Sequence, residues 1–170
     1  MPITFRVEQW SDALTELLEL FPLLWDDVAI DKDRFVAKCD VDKYAALEKA
    51  GILHLVTARD GVLLAGFFLM FVTPNAHYRG AGLMAFTDLY FLLPKYRRGN
   101  TGLNLFSLME ETLRAKGVVK MYSSHKIHRD RSAMFKFLGW TASDVVYSKV
   151  LESPYREEHE RRTRMLEEEN

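Results

Sequence analysis

The stretch Tyr96-Arg97-Arg98-Gly99-Asn100-Thr101-Gly102 combines two arginines with two glycines just ahead of an apolar run at helical spacing, Phe106, Met109 and Leu113. A turn of this composition leaves backbone N–H groups free at the start of a helix, where the helix dipole favours an anion. Gly99 and Gly102 tolerate positive φ and let a ligand approach the backbone closely. Arg97 and Arg98 add charge beside that nest. The matching ligand chemistry is a phosphate or pyrophosphate. No Gly-Lys-Ser/Thr follows, so the turn is not a P-loop, and it is not Gly-x-Gly-x-x-Gly either. A purely structural glycine turn is the alternative reading.

His125 and His128 open a run to Arg131 that holds five basic or potentially basic side chains. Neutral histidine is the usual base near pH 7. The run would suit an anionic acceptor, or it is a solvated surface stretch. Zinc would need a second ligand pair, and Cys39, His54, His77 and His159 are scattered, so no metal is expected. Cys39 is the single cysteine, so no internal disulfide forms, and it reads as a partly buried structural thiol or a nucleophile.

Several elements must position these groups. Strands are expected at Ile3–Val7, Ile52–Ala58, Val62–Val72, Met84–Leu93, Val118–Ser123 and Val145–Leu151. Asp60-Gly61 predicts a type I′ hairpin. Helices are expected after Ser11 as its cap, over Val41–Ala50 capped by Asp40, from Leu103 to Lys116, and over Ser132–Leu138. Pro22 should disturb the end of the first helix, with a polar loop over Asp26–Asp33. Hairpins lead and a β-α-β crossover follows, so an α/β fold with a mixed sheet is expected.

The chain has 170 residues, 48% of them apolar, and a formal charge of −1. That suits one domain with a real core and gives no global positive field for nucleic acid. Residues 1–151 read as that domain, and 152–170 as a charged tail, solvated or partner-binding. The start lacks a signal-peptide pattern, and no apolar run approaches a membrane span, so a soluble cytoplasmic protein with no membrane partner is expected.

The residues around the turn resemble the GNAT superfamily of acyl-CoA-dependent N-acyltransferases. Its fourth strand ends in Val-x-Pro-x-Tyr-Arg, matched by Leu92, Pro94, Tyr96 and Arg97. The (Gln/Arg)-x-x-Gly-x-(Gly/Ala) that follows is matched by Arg97 and Gly102, with Asn100 at the middle glycine. Phe135–Trp140 looks like the family's Tyr-x-x-x-Gly-Phe segment. Three further stretches, Asn75-Ala-His77-Tyr78, Tyr96–Gly102 and Lys126-Ile-His128, look like those of short GNAT-like proteins of tailed bacteriophages, which would place the chain in a host cytoplasm.

The resemblance implies a mostly antiparallel mixed sheet with helices on both faces, the fourth and fifth strands splaying apart. It implies acetyl-CoA as donor, its carbonyl and pantetheine held by the backbone of Leu92 and Leu93, and its pyrophosphate by Arg97, Arg98, Gly99, Asn100, Thr101 and Gly102. The acceptor would be a primary amine on a small molecule or protein, attacking directly, and His77 and Tyr78 would border it. A homodimer stays open. The amine must lose a proton and the departing thiolate must gain one. Asp88 leads as base, because a two-residue period puts it on the face of Tyr90 and Leu92 and an apolar strand would raise its pKa. A buried Asp bonded to backbone or arginine is the alternative. The family's thiolate acid, a tyrosine, falls on Phe135, which has no proton to give. Tyr147 is a substitute donor or an ordinary strand tyrosine. Two rival functions remain. One is a GNAT-fold binding or virion-associated module without catalysis. The other is a phage enzyme modifying nucleic-acid bases.

Overall fold

The computed structural model describes residues 2–75, 80 and 82–151. His77, Tyr78 and the tail 152–170 lie outside the described residues. The strands are β1 (Thr4–Glu8), β2 (Leu53–Asp60), β3 (Leu63–Pro74), β4 (Leu83–Leu92) and β5 (Val118–Tyr122). The α-helices are α1 (Trp10–Val28), α2 (Val41–Lys49), α3 (Thr101–Ala115) and α4 (Ser132–Phe137). The sheet runs β1-β2-β3-β4-β5; its pairs are antiparallel except β4–β5, which is parallel. This is the GNAT fold, an α/β sandwich with helices on both faces.

Burial explains the layering. β3 is apolar on both faces because both are covered. Leu64, Phe67 and Leu69 meet Trp10, Leu17 and Leu24 of α1. Phe68 and Met70 meet Phe106 and Met109 of α3.

Several expectations change. The β2–β3 loop is Gly61-Val62, with Asp60 paired to Leu63. Only Gly61 has positive φ there, which fits a type II′ turn and not I′. α1 does not stop at Pro22; buried Leu20 and Leu24 on either side hold its last turns to the core. Ser11 is not its cap, and the amides of Trp10 and Ser11 bond the Glu48 carboxylate of α2 instead. Val145–Leu151 forms no strand. Val145, Val146 and Leu151 are all more than three-quarters exposed, so no packing rewards the extended pairing their β-branched pattern suggests.

β4 carries the feature that matters most for the site. Leu69 pairs with Leu89 and Met70 with Thr87, leaving Asp88 as an extra, unpaired residue, a β-bulge. Before it, Leu83 and Ala85 face the α3 core; after it, Tyr90 and Leu92 do. The side-chain alternation therefore inverts at Asp88.

Candidate active site

β4 and β5 pair only from Leu83 to Phe86. Beyond Phe86 they part, and a cavity of about 870 Å³ opens between Thr87–Leu92 and the Ser124–Arg131 stretch that follows β5. With no β5 partner, alternate backbone N–H and C=O groups of this half of β4 face the gap without a backbone partner among the described residues, the Leu92 carbonyl being taken by a side chain. Trp25, Asp27 and Val28 of the prolonged α1, Asn100 just before α3, and Gly102 and Leu103 of α3 close its sides.

The turn into α3 departs in detail from the expectation. Gly99, and not Asn100, takes the positive φ, at 66°; Asn100 sits at −97°. Asn100 makes no side-chain cap. The opening amides of α3 therefore lack a side-chain partner and meet the cavity at Gly102 and Leu103. Arg98 and Thr101 do not line the cavity, whereas Arg97 does. The Arg97 guanidinium is already engaged, though. Its Nε donates to the Leu92 carbonyl at 2.7 Å and its Nη2 to Asp27 at 2.8 Å. Arg129 grips the other Asp27 oxygen at 2.6 Å. Asp27 thus ties the end of α1 to both sides of the cleft. Arg97 acts as a clasp on the end of β4, and the anion nest rests on backbone amides.

Asp88 lines the cavity, but not on the face of Tyr90 and Leu92. The bulge turns it toward α1 and α2, where Tyr44 Oη donates to its Oδ2 at 2.6 Å. Tyr44 is fixed by stacking on Trp10, with centroids 4.4 Å apart. Burial raises the pKa of Asp88, and the Tyr44 hydrogen bond partly opposes that rise. Burial also raises Tyr44, with Asp88 adding to it, so the phenol stays protonated. Cys39 packs against this same core, and burial with the nearby Asp40 and Asp88 pushes its thiol up, away from nucleophilic character.

Of the histidines, His125 lines the cavity, stacked on Phe135 at 6.1 Å with its Nε2 3.4 Å from Asp130. His128 is exposed and does not line it. Tyr147 is 90% exposed, outside any strand and away from the cavity, so it loses its place as substitute donor. Leu92 lines the cavity and Leu93 does not; the Leu93 amide is spent on Ala65 at 2.9 Å. Sequence reasoning missed Tyr90, Asp27 and Tyr44. Tyr90 lines the cavity, donates to the Ser124 carbonyl at 3.1 Å and shares Phe106 with Phe135. Burial raises its pKa, against a smaller effect of Arg131. Its even spacing with Leu92 was the available clue. Among the described residues no group of three or more His, Cys, Asp and Glu is placed to hold a metal.

No family profile matches the chain, and no curated protein does. Solved structures match in fold. A transcriptional regulator from Bacillus halodurans superposes with a TM-score of 0.71 at 20% identity, covering 88% of this chain and 100% of that one. Glucosamine-6-phosphate N-acetyltransferase from Arabidopsis thaliana gives 0.68 at 11%, covering 89% and 100%. The aminoglycoside N-acetyltransferase AAC(6')-Iy, bound to a CoA bisubstrate analogue, gives 0.66 at 16%, covering 88% and 99%.

Proposed function

We propose that this protein is an N-acetyltransferase that moves an acetyl group from acetyl-CoA to a primary amine by direct attack. One observation carries the reading. The unpaired backbone of β4 and the uncapped start of α3 open into a single cavity. A long ligand ending in phosphates fits that pairing, because the strand offers amide partners to a pantetheine arm and the helix start offers N–H groups to a pyrophosphate. Structures of similar fold were solved with CoA or a CoA conjugate. Acetyl-CoA supplies an activated thioester. Asp88 takes the amine proton, since its raised pKa brings it toward the pH range where a base works well. Tyr90, kept protonated by burial, is the phenol available to return a proton to the leaving sulfur. His125 is the alternative base. The three bacteriophage-like stretches support a phage-encoded enzyme working in a host cytoplasm.

A second reading is a binding module with this fold and no turnover. Phe135 favours it, since α4 presents no phenol there. Calorimetric titration with acetyl-CoA, then a thiol-release assay over a panel of amines, separates the two. Binding with thiol release supports the enzyme, binding without release under any amine supports the module, and absence of binding removes the enzyme.

A further inference from the structure

Among the described residues that line it, the cavity holds little free negative charge: Asp27 and Asp88 are the acids, while Arg97, Lys126, Arg129 and Arg131 are basic. Asp27 is consumed, one oxygen on Arg97 and the other on Arg129. Asp88 gives Oδ2 to Tyr44 and has no other hydrogen-bond or ion-pair partner among the described residues. Among the described lining residues its Oδ1 is the one carboxylate oxygen left for an incoming ammonium.

The α1 side of the cavity is largely apolar: Phe21, Trp25 and Val28 line it half-buried, and Asp88, bonded to Tyr44, opens into the same cavity. Lys126 and Arg131 follow β5, across the gap from β4. A ligand with one amine and an apolar body satisfies this arrangement. Its charge meets Asp88 and its body covers the α1 residues. A ligand with several ammonium groups does not. Its further cations find no carboxylate among the described lining residues and face arginine and lysine.

We infer that the acceptor is a monoamine on an apolar body, an arylalkylamine or alkylamine, and that polyamines and aminoglycosides are poor acceptors. The inference rests on the acetyl-transfer reading for the identity of the reaction. It stands on the charge and lining of the cavity for the identity of the amine.

The test ranks 2-phenylethylamine, spermidine and kanamycin on the full chain. Their binding is read by calorimetry with CoA present, and their kcat/KM by thiol release from acetyl-CoA. 2-Phenylethylamine should lead by ~10-fold or more in both readouts. In Trp25→Ala the ratio of kcat/KM for 2-phenylethylamine to that for ethylamine should fall ~10-fold. Spermidine or kanamycin equalling or exceeding 2-phenylethylamine overturns the inference, and so does failure of every amine to bind. If acetyl-CoA binds and no amine releases thiol, the catalytic reading fails while the calorimetric ranking still decides the acceptor. If CoA does not bind, the donor reading fails and the same ranking is read on the protein alone.

Discussion

The two ends of the cleft are built from different material. At the α3 end the working groups are backbone amides, released by a glycine turn within a few consecutive residues. At the Asp88 end they are side chains, and the Tyr44–Asp88 bond joins partners 44 residues apart. A backbone site tolerates most changes of side chain and fails by steric block or added charge. A side-chain site fails at the loss of a single functional group.

The largest expected effect is at the side-chain end. Asp88→Asn should lower turnover by ~10²–10⁴-fold with little change in acetyl-CoA affinity, read by steady-state kinetics and calorimetry. The wild-type rate should rise with pH as Asp88 loses its proton, and the variant should lack that limb. If Asp88→Asn keeps full activity and His125→Ala abolishes it, the base is His125.

At the backbone end, Gly102→Glu should weaken acetyl-CoA binding by ~10–10²-fold, the scale of a lost charge-assisted hydrogen bond. A Cβ at Gly102 meets nothing within 4 Å, so the helix accepts the side chain and the effect comes from its charge and reach. Gly102→Ala should bind nearly as well as wild type; equal loss in both variants would mean that the site depends on shape and not on anion binding.

Tyr44→Phe sharpens the contrast at smaller size, with turnover down ~10-fold. The Tyr44 hydrogen bond holds the pKa of Asp88 below where burial alone would put it. Without it that pKa climbs further, and the rising limb of the pH–rate profile should move to higher pH. A purely structural role for Tyr44 would lower the rate without moving the limb.

His54 is a control belonging to neither end. It is 2% exposed between β2 and α3, and its Nε2–H donates to Thr112 Oγ1 at 2.8 Å, whose own proton goes to the Leu108 carbonyl. Burial lowers its pKa to about 4, with Lys116 adding to the shift. Between about 6.5 and 4 the unfolded chain takes up a proton that the folded chain refuses. Stability should therefore drop as pH falls through that window, by up to about 1.4 kcal/mol per pH unit. Denaturant unfolding of wild type and His54→Gln should show the steeper pH slope in wild type, with Gly102→Ala leaving that slope unchanged.

The contrast also explains what was legible in the sequence. The strand, turn and helix around Arg97–Gly102 are contiguous, and helix spacing with glycine placement exposes them directly. The central strands and α2 to α4 followed from apolar period and glycine stops for the same reason. Asp88 was legible as a residue but not as a direction, because a bulge is one register step that no composition marks. Arg97 was legible as a charge, yet its role is fixed by Asp27, seventy positions earlier, on a helix whose end Pro22 was expected to disturb. Val145–Leu151 and Tyr147 misled through β-branched content alone, since propensity does not provide a neighbouring strand.

The unpaired residue in β4 makes that strand unusually sensitive to the bookkeeping of insertions and deletions. Removing Asp88 itself would heal the ladder, bring Thr87 and Leu89 into consecutive register with Met70 and Leu69, and leave both cores as they are. Removing Leu89 would heal it as well, but would seat a carboxylate opposite Leu69, among the apolar residues packed on α1. Two deletions of one codon, side by side, should therefore differ sharply. The first gives a folded protein stripped of its base, and the second a protein with a buried charge and a lowered melting temperature.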